Sequence, residues 1–496
     1  MAGGRSISAR AVAAEVLRRF DAGRDYVGTV LESFLEQTEE RQRATDLVYG
    51  TIRNLTAIDA VIRQFSGRRT ERIAPNLLCI LRAAVYELAY SPATPSYSIV
   101  NEAVNSAKRA GGKKQTGFVN AVLRETGRHI VDRQAQLSEA HQRRTLIQTP
   151  EHGCRFDTEF LPDPEMSLAE YLSVCSSLPL WLATEWIEQY DPEQTRQICL
   201  ASNRRPSVYV RANALRIAAQ ELGEKFERAG IKAAIVPQAS EIKDQISKSK
   251  NAESLPCNDG FLTWPACMLR ITSPQSVTQL PGFAEGWFVV QDLAATGAVR
   301  LLGPQPGWTI LDMCAAPGTK TTQLAEATRD AARIVATDID AKRLKKVHEN
   351  VTRLGLKSVT VVPYTQLESP IPNPQSPMTP APGTFDAVLV DAPCSNTGVL
   401  ARRVEVRHRI RPEAVRKLAQ TQRQLLEKAA TFVKPGGKIC YSTCSIQRAE
   451  NQDVIQAFLA DHDEFEPTGE QLTLPAAQPF DHDGAYAAVM LRGATV

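Results

Sequence analysis

Apolar residues recur every three or four positions along the first quarter of the chain. Val12-Ala13-Val16-Leu17-Phe20 and Leu47-Val48-Ile52-Leu55-Ile58 each lay an apolar stripe on a helix. Breakers fall at Gly67, Pro75 and the Pro92–Pro95 turn. Gly111-Gly112-Lys113-Lys114 interrupts the pattern before Phe118–Arg124 resumes it. Residues 8–130 therefore read as an all-helical bundle with a basic turn, and 1–135 as the first domain. The polar stretch 131–165, with Pro150, Pro162 and Pro164, reads as a partly helical linker. A helix around Trp181, Trp186 and Ile187 follows, so 136–205 is expected to be linker and connecting helices.

From 206 the period changes. Ser207–Arg211 and Ala233–Val236 read as strands flanking a helix that runs to about Ala229. They predict a small α+β domain over 206–285, with a charged surface loop at Lys243–Glu253. Beyond Trp287, strands are expected near 309–312, 333–337, 358–362, 385–390 and 438–441. Helices are expected near 292–302, 319–328, 341–354, 412–433 and 449–460. That alternation predicts an α/β domain over 286–496 with a mostly parallel, doubly wound, Rossmann-like sheet. Residues 369–384 hold six prolines and read as an exposed insertion.

Charge sharpens this picture. Net charge is +3 overall, but residues 1–150 carry +7 and the rest −4. A basic first third suggests a polyanionic partner. With 43% hydrophobic residues in 496, a sizeable core is available. No apolar run is long enough to span a membrane and the first residues lack a signal-peptide core, so a cytoplasmic, membrane-free protein is expected. Ten cysteines are scattered with no Cys-x-x-Cys pair, which argues against a disulfide framework and a zinc site. No metal is expected.

Three segments carry candidate chemistry, each after an apolar run. The first is the turn Asp312-Met313-Cys314-Ala315-Ala316-Pro317-Gly318-Thr319-Lys320. It lacks the first glycine of an ATP-binding loop and the glycines of a dinucleotide fingerprint. What remains is a small-residue turn at a helix N-terminus, able to approach a carboxylate or a ribose. Asp338 closes the next strand, where a carboxylate can accept from two ribose hydroxyls. Asp312 can fix the turn or meet an amino group. A ribose, a carboxylate and an ammonium without a pyrophosphate describe S-adenosylmethionine. Cys314 reads as a lining residue of this turn.

The other two segments are Asp391-Ala392-Pro393-Cys394-Ser395 and Ser442-Thr443-Cys444-Ser445. Carbon 5 of a pyrimidine is a poor nucleophile until a thiolate adds to carbon 6. One cysteine must attack, and a further group must remove the carbon-5 proton so that the thiol can leave. Asp391 is placed to hydrogen-bond the ring. Cys79, Cys175, Cys199 and Cys440 read as buried small hydrophobes.

These segments, with Asn396-Thr397-Gly398 and Glu450-Asn451, resemble the Sun family of RNA cytosine-carbon-5 methyltransferases. Gln291-Asp292 and Tyr209–Asn213 fit as well, so the resemblance covers about 206–496. The first third is similar to the NusB-type RNA-binding domain, through Arg41–Arg53, Pro95–Val104 and Phe118–Arg124. Together they resemble the Sun/Fmu type that acts on bacterial small-subunit ribosomal RNA. The resemblance implies Cys444 as nucleophile and Cys394 as the cysteine assisting product release. It implies Met313, Cys314, Ala315, Ala316, Pro317, Gly318, Thr319, Lys320, Asp338, Arg343 and Asp391 around S-adenosylmethionine. It also implies a 16S rRNA partner, and a monomer is expected.

Two departures stand out. Val362-Pro363-Tyr364-Thr365 lacks the family's acid near the adenine. Ala401–Val406 lacks a proline and an aspartate, although 401–417 holds seven Arg+Lys against two Glu and reads as suited to phosphate contacts. The competing readings are a non-catalytic RNA-binding or assembly protein on the same fold, and a methyltransferase acting on tRNA. The pair of cysteines with Asp391 favours an enzyme.

Overall fold

The computed structural model describes residues 7–237, 267–273, 276–367 and 382–494. The expected loop at Lys243–Glu253 and nearly all of the proline-rich insertion lie outside these residues. The described chain divides into two compact units. One comprises residues up to Arg205 together with Leu400–Ile410 and Ala476–Pro479; the other holds the remainder.

The first unit is built around the helix Pro75–Tyr90, which is buried nearly all round. Pro75 starts it at the position where a missing N–H costs nothing. Glu87 lies buried on this helix and is paired with Arg10 and with Arg43, the latter at 2.9 Å. Gly50 in the helix Arg41–Arg53 permits close packing here, since a Cβ there would lie 2.0 Å from the Tyr86 ring. Pro95 and Gly111 bracket the helix Ser96–Ala110, and Lys113–His129 runs beside it.

Two expectations change in this unit. Part of the stretch read as a linker is an antiparallel sheet of β1 (Ile130–Gln136), β2 (Thr145–Ile147) and β3 (His152–Phe156), in the order β1-β3-β2. Its polar outer positions hid the buried Ala135, Leu146, Cys154 and Phe156. Within the basic segment 401–417, Arg407 is not available for a phosphate, whereas Arg403, Arg411, Arg416 and Lys417 are exposed. Arg407 is 1% exposed and donates to the carbonyls of Arg53, Ser176, Ser202 and Leu400 and to Asn203 Oδ1, at 2.6–3.0 Å. Arg403 and Arg409 lie over the Tyr26 ring.

The second unit holds two sheets. The smaller is antiparallel, with β4 (Val208–Ala212), β5 (Ala233–Ile235), β6 (Met268–Ile271) and β7 (Phe288–Val290) in the order β5-β6-β4-β7. The helix Ala219–Arg228 packs Leu222 and Phe226 against it.

The larger sheet has seven strands: β8 (Thr309–Asp312), β9 (Arg333–Ala336), β10 (Val359–Val361), β11 (Phe385–Asp391), β12 (Val433–Thr443), β13 (Phe465–Thr473) and β14 (Ala485–Arg492). Their order is β10-β9-β8-β11-β12-β14-β13. The first five are parallel, and β14 pairs antiparallel with both β12 and β13. Strand order reverses at β8, so a crevice is expected at the carboxyl ends of β8 and β11. The central strands are apolar on both faces, as a sheet covered on both sides requires.

Arg211 ties the two sheets together. It is 1% exposed, grips both Glu326 oxygens at 2.9 Å and donates to Thr322 at 3.0 Å. Both partners lie on the helix Thr319–Ala327. Among the described residues no helix is long and apolar enough to cross a membrane.

Candidate active site

Sheet register explains how distant segments meet. Asp391 ends β11 opposite Ser442 of β12, and Ala392 N–H bonds Ser442 O at 2.8 Å. Each chain then turns off the sheet, carrying Cys394 three residues past one partner and Cys444 two past the other. Their sulfurs lie 3.2 Å apart. Asn396, held at φ +63°, donates to Cys394 O at 2.8 Å and lies 3.4 Å from the Cys444 sulfur through Oδ1. Asparagine tolerates this left-handed conformation better than most residues.

The turn after β8 sits at the switch point. Gly318 adopts φ +100°, and its Cα comes close to Val347, which a Cβ would meet at 3.3 Å. Asp338 holds the turn: its oxygens accept from Ala316 N–H at 3.2 Å and Asp340 N–H at 3.0 Å. Arg343 grips the turn from the exposed side, donating to Ala316 O at 2.9 Å. The Met313 side chain is fully buried in the sheet core, so this residue can offer a ligand only its backbone. Cys314 packs against the same core, and burial pushes its thiol pKa well up, as befits a lining residue. Cys440 is buried, as expected of a small hydrophobe.

Lys320, implied to lie around the cofactor, has its Nζ 2.7 Å from the carboxylate of Asp391, another residue of that set. Burial works against its charge, but Asp391 beside it keeps the Lys320 pKa above the ordinary value, and Cys444 contributes in the same direction. The acid–lysine pair therefore lies within electrostatic reach of Cys444. For Cys394, the hydrogen bond to Cys444, followed by burial, raises the thiol pKa well above its usual value.

The residues present fit S-adenosylmethionine. Asp312 is fully buried; one oxygen accepts from Thr321 at 2.7 Å, while Oδ1 has no partner. Burial raises its pKa to about 7. An ammonium would satisfy that orphaned oxygen. Each Asp338 oxygen accepts a single N–H and has capacity for a hydroxyl. Ile339, next in sequence, is an apolar residue that is 82% exposed. Sequence reasoning passed over Ile339 and the pairing of Lys320 with Asp391. An apolar residue beside a strand-end acid was the available signal for the first. No cluster of metal-ligating residues occurs among the described residues.

A family model for the 16S rRNA methyltransferases RsmB/F matches residues 299–485. The NusB family matches 7–128, and the ferredoxin-like domain of RsmF/B-like methyltransferases matches 178–243. The chain is 32% identical to the ribosomal RNA small subunit methyltransferase B of Serratia proteamaculans over 98% of both chains. It is 30% identical to a probable ribosomal RNA small subunit methyltransferase B of Synechocystis, over 95% of this chain and 93% of that one. The crystal structure of PH0851 shares the fold over 98% of this chain and 99% of its own, with a TM-score of 0.68 at 23% identity.

Proposed function

Because this chain belongs to the RsmB/F family of S-adenosylmethionine-dependent 16S rRNA methyltransferases, we propose that it methylates carbon 5 of a cytosine in that RNA through a covalent adduct on Cys444. The observation that carries this reading is the pair of sulfurs 3.2 Å apart beside the Lys320–Asp391 pair. S-adenosylmethionine, held by the 312–320 turn, Asp338 and Ile339, supplies an electrophilic methyl group.

The Cys444 thiolate adds to carbon 6, and the electron pair of the 5,6 double bond moves to carbon 5, which takes the methyl. Asp391, oriented by Lys320, accepts from the cytosine amino group and orients the ring, and the Lys320 ammonium behind it offsets the negative charge that develops there. The carbon-5 proton then leaves, the sulfur–carbon bond breaks and the double bond is restored. The Cys394 environment suits this second half. Its pKa is raised first of all by the hydrogen bond that its S–H donates to Cys444. Once that sulfur is bound to carbon 6 it no longer accepts this bond, and Cys394, 3.2 Å away, is the group placed to take the carbon-5 proton.

The helical unit is the proposed grip on RNA. A groove of about 810 Å³ runs between the helices Ser96–Ala110 and Lys113–His129. Lys113, Arg124 and Arg128 line it, with Asn101, Asn120 and the 80% exposed Tyr97. Cations for phosphates and an aromatic for a base suit a single strand. Bisulfite sequencing of 16S rRNA incubated with the protein and S-adenosylmethionine tests the reading. One new protected cytosine is expected; incorporated methyl with no protected cytosine counts against carbon 5.

A further inference from the structure

Glu450 lies in the short turn Arg448–Glu450 and is fully buried. Its oxygens accept from four donors. Oε1 takes Ser395 N–H at 2.8 Å and Gln422 Nε2 at 3.2 Å. Oε2 takes the Ser395 hydroxyl and the Ser445 hydroxyl, the latter at 2.5 Å. Ser395 follows Cys394 and Ser445 follows Cys444. One carboxylate thus binds the residue after each thiol. The two loops are also joined directly: Thr397 Oγ1 lies 3.0 Å from Ser445 Oγ and accepts Ile446 N–H at 3.1 Å.

A buried carboxylate is costly even when well bonded, and burial raises the pKa of this one. An apolar residue would fill the same space at lower cost but could not bind two loops at fixed positions. Asn451 cannot replace it. Asn451 accepts from Thr443 at 2.6 Å and donates to Ser445 O at 2.9 Å, so it secures only the Cys444 side. We infer that Glu450 is a positioning residue that sets the spacing of the two thiols by clasping both cysteine loops from behind. The inference rests on the reading of Cys394 and Cys444 as the reactive pair.

The test compares Glu450→Ala with Glu450→Gln in the full-length protein. Glutamine can keep Oε1 as acceptor for Ser395 N–H and Gln422, while its amide donates to serine hydroxyls free to rotate. The first measurement is independent of methylation. Hydrogen peroxide joins adjacent thiols: two S–H bonds are lost, one S–S bond forms and peroxide is reduced to two waters. The rate at which the Cys394–Cys444 peptide pair appears, followed by mass spectrometry, reports their spacing. Glu450→Ala is expected to slow it about tenfold and Glu450→Gln to stay within about threefold of the parent. S-adenosylmethionine affinity should not change, because no bond from Glu450 reaches the 312–320 turn.

In single-turnover methylation, Glu450→Ala should lose about a hundredfold in rate, with partial rescue by glutamine. Cross-linking of Glu450→Ala at the parent rate overturns the inference, as does a glutamine variant no better than alanine. Should Glu450→Ala lose cofactor binding, Ser445→Ala releases only the Cys444 side, and parent-rate cross-linking there is equally decisive. If cross-linking slows as expected while the parent enzyme forms no adduct with RNA, the clasp stands and the assignment of the thiols as catalytic falls.

Discussion

Replacing Asp338 by alanine tests the cofactor site. The residue is 4% exposed at the end of β9, and each carboxylate oxygen accepts one backbone N–H, from Ala316 and from Asp340. Each oxygen therefore has room for one ribose hydroxyl. Charge-assisted bonds of this kind contribute about 1.5–3 kcal/mol each, and water recovers part of the loss when they are removed. A net penalty of about 2–4 kcal/mol follows, which is roughly 30- to 700-fold in dissociation constant. The freed Ala316 N–H loosens the turn and moves the result toward the upper end. Isothermal titration calorimetry of S-adenosylmethionine with the full-length protein reads this directly, with a thermal melt to establish that the variant is folded. A folded Asp338→Ala protein with parental affinity refutes the assignment of the ribose to this acid.

Three further outcomes are expected. Burial raises the Asp312 pKa to about 7, against about 3.9 in an unfolded chain. The folded state thus holds a proton that the unfolded state has lost, and this acid's contribution to stability falls as pH rises from about 4 to about 7. In urea titrations without ligand, the stability of Asp312→Asn relative to the parent should rise across that window; parallel curves would contradict it. Arg407→Met leaves four buried carbonyls and the half-buried Asn203 Oδ1 short of a donor and should cost about 3–5 kcal/mol in urea unfolding, a change under about 0.5 kcal/mol refuting the anchoring role. Tyr97→Ala should weaken RNA binding by about 1–3 kcal/mol without altering S-adenosylmethionine affinity, and unchanged RNA binding would remove the groove from the interface.

The chemistry was more legible than the architecture around it. The 312–320 turn, Asp338, Asp391 and both thiols stand at strand ends because apolar runs and small-residue turns mark those ends. The hairpin of β13 and β14 escaped notice. Phe465–Thr473 carries Glu466, Pro467 and Gly469, and Ala485–Arg492 opens with alanines, so neither has strong strand propensity. Pairing of β14 with β12 decides their form, and that is a non-local fact. Arg407 looked like a surface cation because charge patterns do not record which carbonyls converge on a side chain. The bonds of Glu450 were hidden for the same reason: its partners are 5, 28 and 55 residues away.

The central claim is that Cys444 attacks and Cys394 releases. Each cysteine is replaced by serine, and the protein is incubated with 16S rRNA and S-adenosylmethionine. Denaturing gels then separate free protein from protein covalently bound to RNA. Cys394→Ser should accumulate a stable adduct without turnover, while Cys444→Ser should give neither adduct nor methylated RNA. An adduct with Cys444→Ser and none with Cys394→Ser would reverse the two roles, and methylation by Cys444→Ser at the parent rate would contradict covalent catalysis by this cysteine.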